Sequence, residues 1–155
     1  MYSFVDQPVD QLAAGSRFIL ERMRDWLATL PRAADPAETQ DSPFPRLAMR
    51  PVREDFHGLM LELDREGRLA SSFGKSGQAW ITGMEAVLLA LWSDAMADRG
   101  ERVRGVLHLL LVEPAIERAM VRLARVASRL VGLRIAPTGI RSSGERRSEH
   151  LRDAR

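Results

Sequence analysis

Apolar residues recur every three or four positions in several separate segments of the chain, and this spacing constrains the fold more than any other feature. In residues 8–30 the stripe consists of Leu12, Ile19, Met23, Trp26 and Leu30. No stretch alternates apolar and polar residues with β-branched enrichment, which is the pattern of a half-buried strand. The sequence therefore predicts an all-α protein.

Four later segments repeat the helical spacing, at about residues 53–69, 80–95, 101–112 and 115–131. The stripes of these segments are predicted to form the core, and Trp26, Trp80 and Trp92 all occupy stripe positions. Ser76 is predicted to cap the helix that starts near Trp80. His108 lies within an apolar run, so we expect it to be partly buried.

The organisation that follows is a single helical domain over residues 1–133, folded as an irregular bundle of four to five helices. Five prolines lie between positions 31 and 51, and this composition resists both helix and sheet. We therefore expect residues 32–52 to form a Pro-rich crossover after the first helix. Residues 134–155 are rich in Ser, Arg, Glu and Gly, which predicts a flexible, basic, disordered C-terminal tail.

Composition excludes several classes of site and segment. The chain contains no cysteine, so it has neither disulfides nor thiolate metal sites. The longest apolar runs, residues 86–92 and 106–112, are far shorter than the roughly 20 residues of a membrane span. The first ten residues lack the basic and apolar pattern of a secretory signal. We expect a cytoplasmic protein with no membrane span and no cofactor.

Charge is distributed unevenly along the chain. Up to Glu117 there are 13 basic and 18 acidic residues, a net charge of −5, whereas from Arg118 onward 10 arginines face three acidic residues, a net charge of +7. Such segregation is typical of a chain that binds a polyanion or an acidic surface, or whose basic end folds back onto its own acidic part. The sequence does not separate these interpretations.

A row of arginines is the sharpest single pattern. Arg118, Arg122, Arg125 and Arg129 are separated by steps of four, three and four, which place them on one face of a helix. The guanidinium fork matches carboxylates and phosphates, so we predict that this row contacts acidic groups of a partner. The alternative is a solvated helix face without a partner, since the side opposite an apolar stripe is normally polar.

Glu54 and His57 are the candidate metal ligands. Their Glu-x-x-His spacing points a carboxylate and an imidazole in one direction on a helix, as in di-iron bundles. A complete site needs a second copy, which a symmetric dimer could supply. The alternative is an ordinary acidic helix start.

Three functions follow from these patterns. The first is a small non-enzymatic helical interaction or regulatory protein that contacts a protein partner through a helical face and its basic end, and the helical stripes would also suit a homodimer. The second is a ligand- or metal-binding bundle with an enzymatic role. The third is a nucleic-acid-binding protein, whose binding would weaken steeply with salt. The row of arginines favours the first.

Overall fold

Six α-helices make up most of the part of the chain that the computed structural model describes, namely Phe4 and residues 6–29, 50–65 and 68–135. The helices are α1 (Ala14–Thr29), α2 (Arg50–Leu63), α3 (Arg68–Ser72), α4 (Gly83–Met96), α5 (Gly100–Leu110) and α6 (Glu113–Gly132). A short 3-10 helix (Val9–Gln11) precedes α1. These residues contain no strand beyond an isolated antiparallel bridge between Pro8 and Trp80, which confirms the all-α prediction. Most of the crossover and of the C-terminal tail lies outside the described residues.

Helix α4 lies at the centre of the structure. It packs against α1, α3, α5 and α6. Its buried residues, Ala86, Leu88, Leu89, Leu91 and Trp92, lie on several sides of the helix rather than along one stripe. A helix that is apolar around most of its circumference is stable in water only when other elements cover it. The other helices therefore contribute one apolar face each to a core around α4.

Helix α6 shows the opposite pattern, with one strongly apolar face. Ile116, Ala119, Leu123, Val126 and Leu130 are all buried, at steps of three or four residues. This face packs against α2, α4 and α5, and the contact with α2 is the most extensive in the described part of the chain. The helix begins with Pro114 in its first turn, where a missing N–H costs nothing.

Two of the three tryptophans occupy the predicted positions. Trp26 and Trp92 are buried, and the Trp92 ring stacks on Phe56 with 6.1 Å between ring centroids. The predictions for Trp80 and His108 are wrong. Trp80 is 56% exposed because α4 begins only at Gly83, which leaves Trp80 in the preceding loop. His108 is exposed on α5, with its Nδ1 3.3 Å from the Glu113 carboxylate.

The start of α4 is fixed by a capping box. The Thr82 hydroxyl accepts a hydrogen bond from the Glu85 N–H at 3.3 Å, and the Glu85 carboxylate accepts one from the Thr82 N–H at 2.8 Å. Each side chain thereby satisfies a backbone donor that the first turn of a helix leaves unpaired. The cap is Thr82 and not Ser76, so that prediction is wrong because the apolar stripe extends beyond the helix into the loop.

Glu85 also forms a buried ion pair with Arg24 of α1. The Arg24 Nε donates to Glu85 Oε1 at 2.7 Å and the Nη2 donates to Oε2 at 2.9 Å, so one edge of the guanidinium faces the carboxylate. Arg24 is 4% exposed and Glu85 is fully buried. A buried pair is tolerated only when hydrogen bonds satisfy the remaining atoms of both groups.

Those remaining atoms bind the loop between α3 and α4. The Arg24 guanidinium donates to the backbone oxygens of Gln78 at 2.8 Å and Trp80 at 3.1 Å. The Gly74 N–H donates to Glu85 Oε1 at 3.0 Å. A Cβ atom at position 74 would lie 2.9 Å from Arg24 Nη2, so glycine lets the backbone approach the pair. The ion pair therefore joins α1, α4 and the whole connecting loop.

The pKa of Glu85 shows which of the opposing forces is larger. Burial alone raises the pKa of this carboxyl. The hydrogen bonds from Arg24, Thr82 and Gly74 and the charge of Arg24 together lower the pKa by more than burial raises it, so the net pKa lies below the usual value. The ionised form is thus the one that the fold stabilises.

We predict that Glu85→Ala lowers the free energy of unfolding by about 3–5 kcal/mol, because Arg24 would remain buried without its partner. Urea unfolding monitored by circular dichroism measures the change. Glu21→Ala, a matched change at an exposed carboxylate of α1, is expected to alter the free energy by about 0.5 kcal/mol or less. Equal effects of the two substitutions would contradict the role of the pair.

The lowered pKa also predicts a pH dependence. A carboxyl with a depressed pKa in the folded state contributes stability that is complete above its unfolded value, 4.5, and is lost as the pH falls through the folded value. Urea midpoints measured between pH 6 and pH 2 are therefore expected to fall less steeply for Glu85→Gln than for the unaltered protein. Parallel curves would show that Glu85 does not contribute to acid unfolding.

Candidate functional site

The four arginines of the predicted row lie on α6, but part of the row faces α2 rather than solvent. The facing residues of α2 are Asp55, Gly58 and Glu62, spaced three and four apart along that helix. Two helices packed side by side thus present a basic edge and an acidic edge to each other. The structure brings three of the four arginines to this contact, and we refer to it as the α2–α6 seam.

Arg118 makes the most complete contact of the seam. Its Nε and Nη2 donate to the two carboxylate oxygens of Glu62 at 2.8 and 3.1 Å, and its Nη1 donates to the Pro114 backbone oxygen at 2.6 Å. The hydrogen bonds from Arg118 lower the pKa of Glu62 despite partial burial, and the same bonds raise the pKa of Arg118. All three guanidinium nitrogens of Arg118 are therefore occupied within the chain.

Arg122 lies across the surface of α2 at Gly58. A Cβ atom added at Gly58 would overlap the end of the Arg122 side chain, so only glycine leaves room for the guanidinium here. Gly58 is buried although it carries no side chain, because Arg122 covers it. A glycine in a helix interior costs stability, and this close approach gives a physical reason for its presence.

The other two arginines are more open to solvent. The Arg125 side chain is 65% exposed and lies 3.6 Å from the Asp55 carboxylate, a long and solvent-screened ion pair. Arg129 is exposed and forms no ion pair with any residue that the structure describes. Val121, which is 49% exposed, lies one helical turn before Arg125 and lines the same surface groove.

The two metal-ligand candidates lie on α2 as the sequence predicted. Glu54 is exposed, and His57 is half-buried against Trp26. The Trp26 indole N–H donates to His57 Nδ1 at 2.9 Å, so this ring nitrogen is the acceptor and carries no proton. Within the described ranges, no three His, Asp or Glu side chains are grouped so as to hold a metal ion.

Sequence reasoning did not identify the acidic edge of the seam or the exposed Val121. Asp55 and Glu62 are separated by seven residues in the sequence, which is a detectable helical spacing, but which helix they face depends on tertiary packing. Val121 lies two positions from the buried residues Ala119 and Leu123, a spacing that places it on the opposite side of the helix, and this spacing was the available signal. The described helices include none that is long and apolar enough to cross a membrane.

Comparison of the chain with models of known protein families, with curated proteins and with solved structures found no match.

The contact between Gly58 and Arg122 predicts a measurable coupling. Gly58→Ala favours the helix by about 0.8–1.0 kcal/mol, but the added methyl group displaces the Arg122 guanidinium. We expect Gly58→Ala to stabilise the Arg122→Ala variant more than the unaltered protein, by at least about 0.5 kcal/mol. Urea unfolding of the four proteins in this double-mutant cycle measures the difference. Additive effects would contradict the contact.

Proposed function

We propose that the protein is a small non-enzymatic interaction protein that binds an acidic protein surface through the outer side of α6. The observation that carries this proposal is that Arg125 and Arg129 remain open to solvent there, and that the exposed Val121 lies one helical turn before Arg125. Exposed arginines next to exposed apolar side chains are typical of protein interfaces, whose centres are depleted in most other charged residues. We call Val121, Arg125 and Arg129 the outer α6 face.

The four arginines of the row have different roles in this proposal. Arg118 and Arg122 hold α2 against α6 and set the orientation of the helix, because their guanidinium groups already lie on Glu62 and Gly58. Arg125 and Arg129 contact the partner. The long Arg125–Asp55 pair, at 3.6 Å, is weak enough for a partner carboxylate to compete with Asp55.

A carboxylate partner suits this face better than nucleic acid. Each arginine can form two parallel hydrogen bonds to a carboxylate, and Val121 adds apolar area that a phosphate backbone would not use. In this proposal the basic residues 134–155 act together with the outer α6 face, and the chain works in the cytoplasm. Homodimer formation stays a prediction that light scattering of the purified protein measures.

The proposal predicts that Arg125→Gln/Arg129→Gln weakens binding to fluorescein-labelled poly-L-glutamate by about tenfold or more, because hydrogen bonds to charged groups contribute roughly 1.5–3 kcal/mol each. Fluorescence anisotropy measures the affinity. The control is Arg65→Gln/Arg102→Gln, which removes the same charge from two exposed positions outside this face. Equal weakening by both double variants would contradict a specific role for the outer α6 face.

A labelled DNA duplex, titrated at low and high salt, separates the partner classes. We expect the unaltered protein to bind poly-L-glutamate more tightly than the duplex at physiological salt. Tighter binding of the duplex, with affinity falling steeply as salt rises, would replace the acidic protein partner with nucleic acid. Circular dichroism of each variant verifies that the helices are intact.

A further inference from the structure

A groove separate from the outer α6 face lies between the 3-10 helix, the first half of α1 and residues 76–80. Its volume is about 600 Å³, within the range of sites that hold small organic molecules. The walls include Pro8, Arg17, Arg24, Gln78 and Trp80. One wall is therefore apolar and aromatic, and another carries guanidinium groups.

Arg17 contains an unsatisfied pair of hydrogen-bond donors. Its Nε and Nη2 are shielded from solvent, and neither has a hydrogen-bond acceptor among the described residues. A shielded N–H group without an acceptor costs free energy, more so when the group is charged. Such a donor pair in a native chain needs a physical explanation, and binding of an anionic group is one.

Arg24 shows which chemical group the same two nitrogens of an arginine bind elsewhere on α1. It lies seven residues after Arg17 on the same side of α1, and it lines the same groove. Its Nε and Nη2, the same two atoms that are orphaned in Arg17, donate to the Glu85 carboxylate at 2.7 and 2.9 Å. The matching atoms of Arg17 thus have the geometry for a second carboxylate, which no described residue supplies.

Trp80 provides the apolar part of the groove. Its backbone is fixed by the bridge to Pro8 and by its carbonyl oxygen, which accepts from Arg24 Nη2 at 3.1 Å. Its side chain is nevertheless 56% exposed. An anchored backbone with an exposed indole presents a rigid aromatic surface at low conformational cost.

From this geometry we infer that the groove binds a small organic acid. A carboxylate pairs with Nε and Nη2 of Arg17, and an aromatic or apolar body contacts the Trp80 indole. Asp10 and Glu21 line the same groove, so their charges disfavour multiply charged anions such as phosphate more strongly than a monocarboxylate. Because both Arg17 nitrogens are shielded, part of the wall moves when the acid enters.

The test is a titration of the full chain with benzoate and phenylacetate, using benzamide and phenylacetamide as neutral controls of the same shape. The arginine Nε–H and tryptophan indole N–H signals in NMR spectra report binding. We expect saturable shifts of the Arg17 and Trp80 signals with the acids, and at least about tenfold weaker binding of the amides. Equal binding of acids and amides, or no saturable shift, would overturn the inference.

Three variants locate the site. Arg17→Gln is expected to weaken acid binding about tenfold. The control is Arg53→Gln, which is expected to leave acid binding unchanged. Arg53 also has a shielded and unpaired Nε, but it lies outside the groove. Trp80→Ala tests the apolar wall at an exposed position that the fold does not need, and it should also weaken binding. Equal effects of Arg17→Gln and Arg53→Gln would overturn the assignment.

A free acid and the C-terminal carboxylate of a peptide share this chemistry. Titrations with acetyl-Ala-Phe that has a free carboxylate, and with the same peptide as its amide, separate the two sources. Tighter binding of the free peptide than of phenylacetate identifies a peptide C-terminus, and weaker binding identifies a free acid. The groove and the outer α6 face share no residue, so failure of one assignment leaves the other intact.

Discussion

The ion pair between Arg24 and Glu85 is the interaction on which the arrangement of the described helices depends. Glu85 closes the first turn of α4, and the same carboxylate accepts from Arg24 of α1 and from the Gly74 N–H. Arg24 in turn binds the backbone at Gln78 and Trp80. The backbone of the loop between α3 and α4 is therefore fixed by hydrogen bonds to one buried ion pair. This explains why an arginine lies within the apolar core.

The same chemistry, a guanidinium edge against a carboxylate, recurs in three places with different exposure. It is buried at Arg24 and Glu85, and it is partly exposed at Arg118 and Glu62, where it joins α2 to α6. At Arg17 the guanidinium edge is present, and the carboxylate is missing among the described residues. The first two contacts stabilise the fold, and the third leaves a donor pair for a ligand. The outward arginines of α6 then remain for a partner.

The sequence predicted the helices well, but it did not predict which residues of different helices and loops contact each other. The periodic stripes predicted the helical class, and they place the buried residues of α6 at the correct positions because one helix face determines them. Periodicity misplaced Trp80, because the stripe continues past the Thr82 cap. The Thr82-x-x-Glu85 pattern was the available signal for the true start of α4. The burial of Arg24 had no such signal, since a charged residue is assigned to the outside until its partner is known.

The candidate site illustrates the same limit. Steps of four, three and four place the arginines of α6 on one face, and the structure has them on one helix as predicted. Whether such a row faces solvent or a neighbouring helix depends on how the helices pack, which involves residues 56 positions apart for Arg118 and Glu62. Local patterns therefore identify chemical groups, and tertiary packing decides which of them remain available to bind another molecule.

Native-state hydrogen exchange at the Gly74 and Thr82 amides tests the central claim most directly, because both N–H groups donate to Glu85. If the ion pair fixes the loop, these two amides exchange only when the whole domain unfolds, with protection equal to that of the core of α4. The Ala79 amide of the same loop, for which the structure shows no hydrogen bond to the described backbone, is expected to exchange quickly. Fast exchange at Gly74 and Thr82 through local opening would contradict the account.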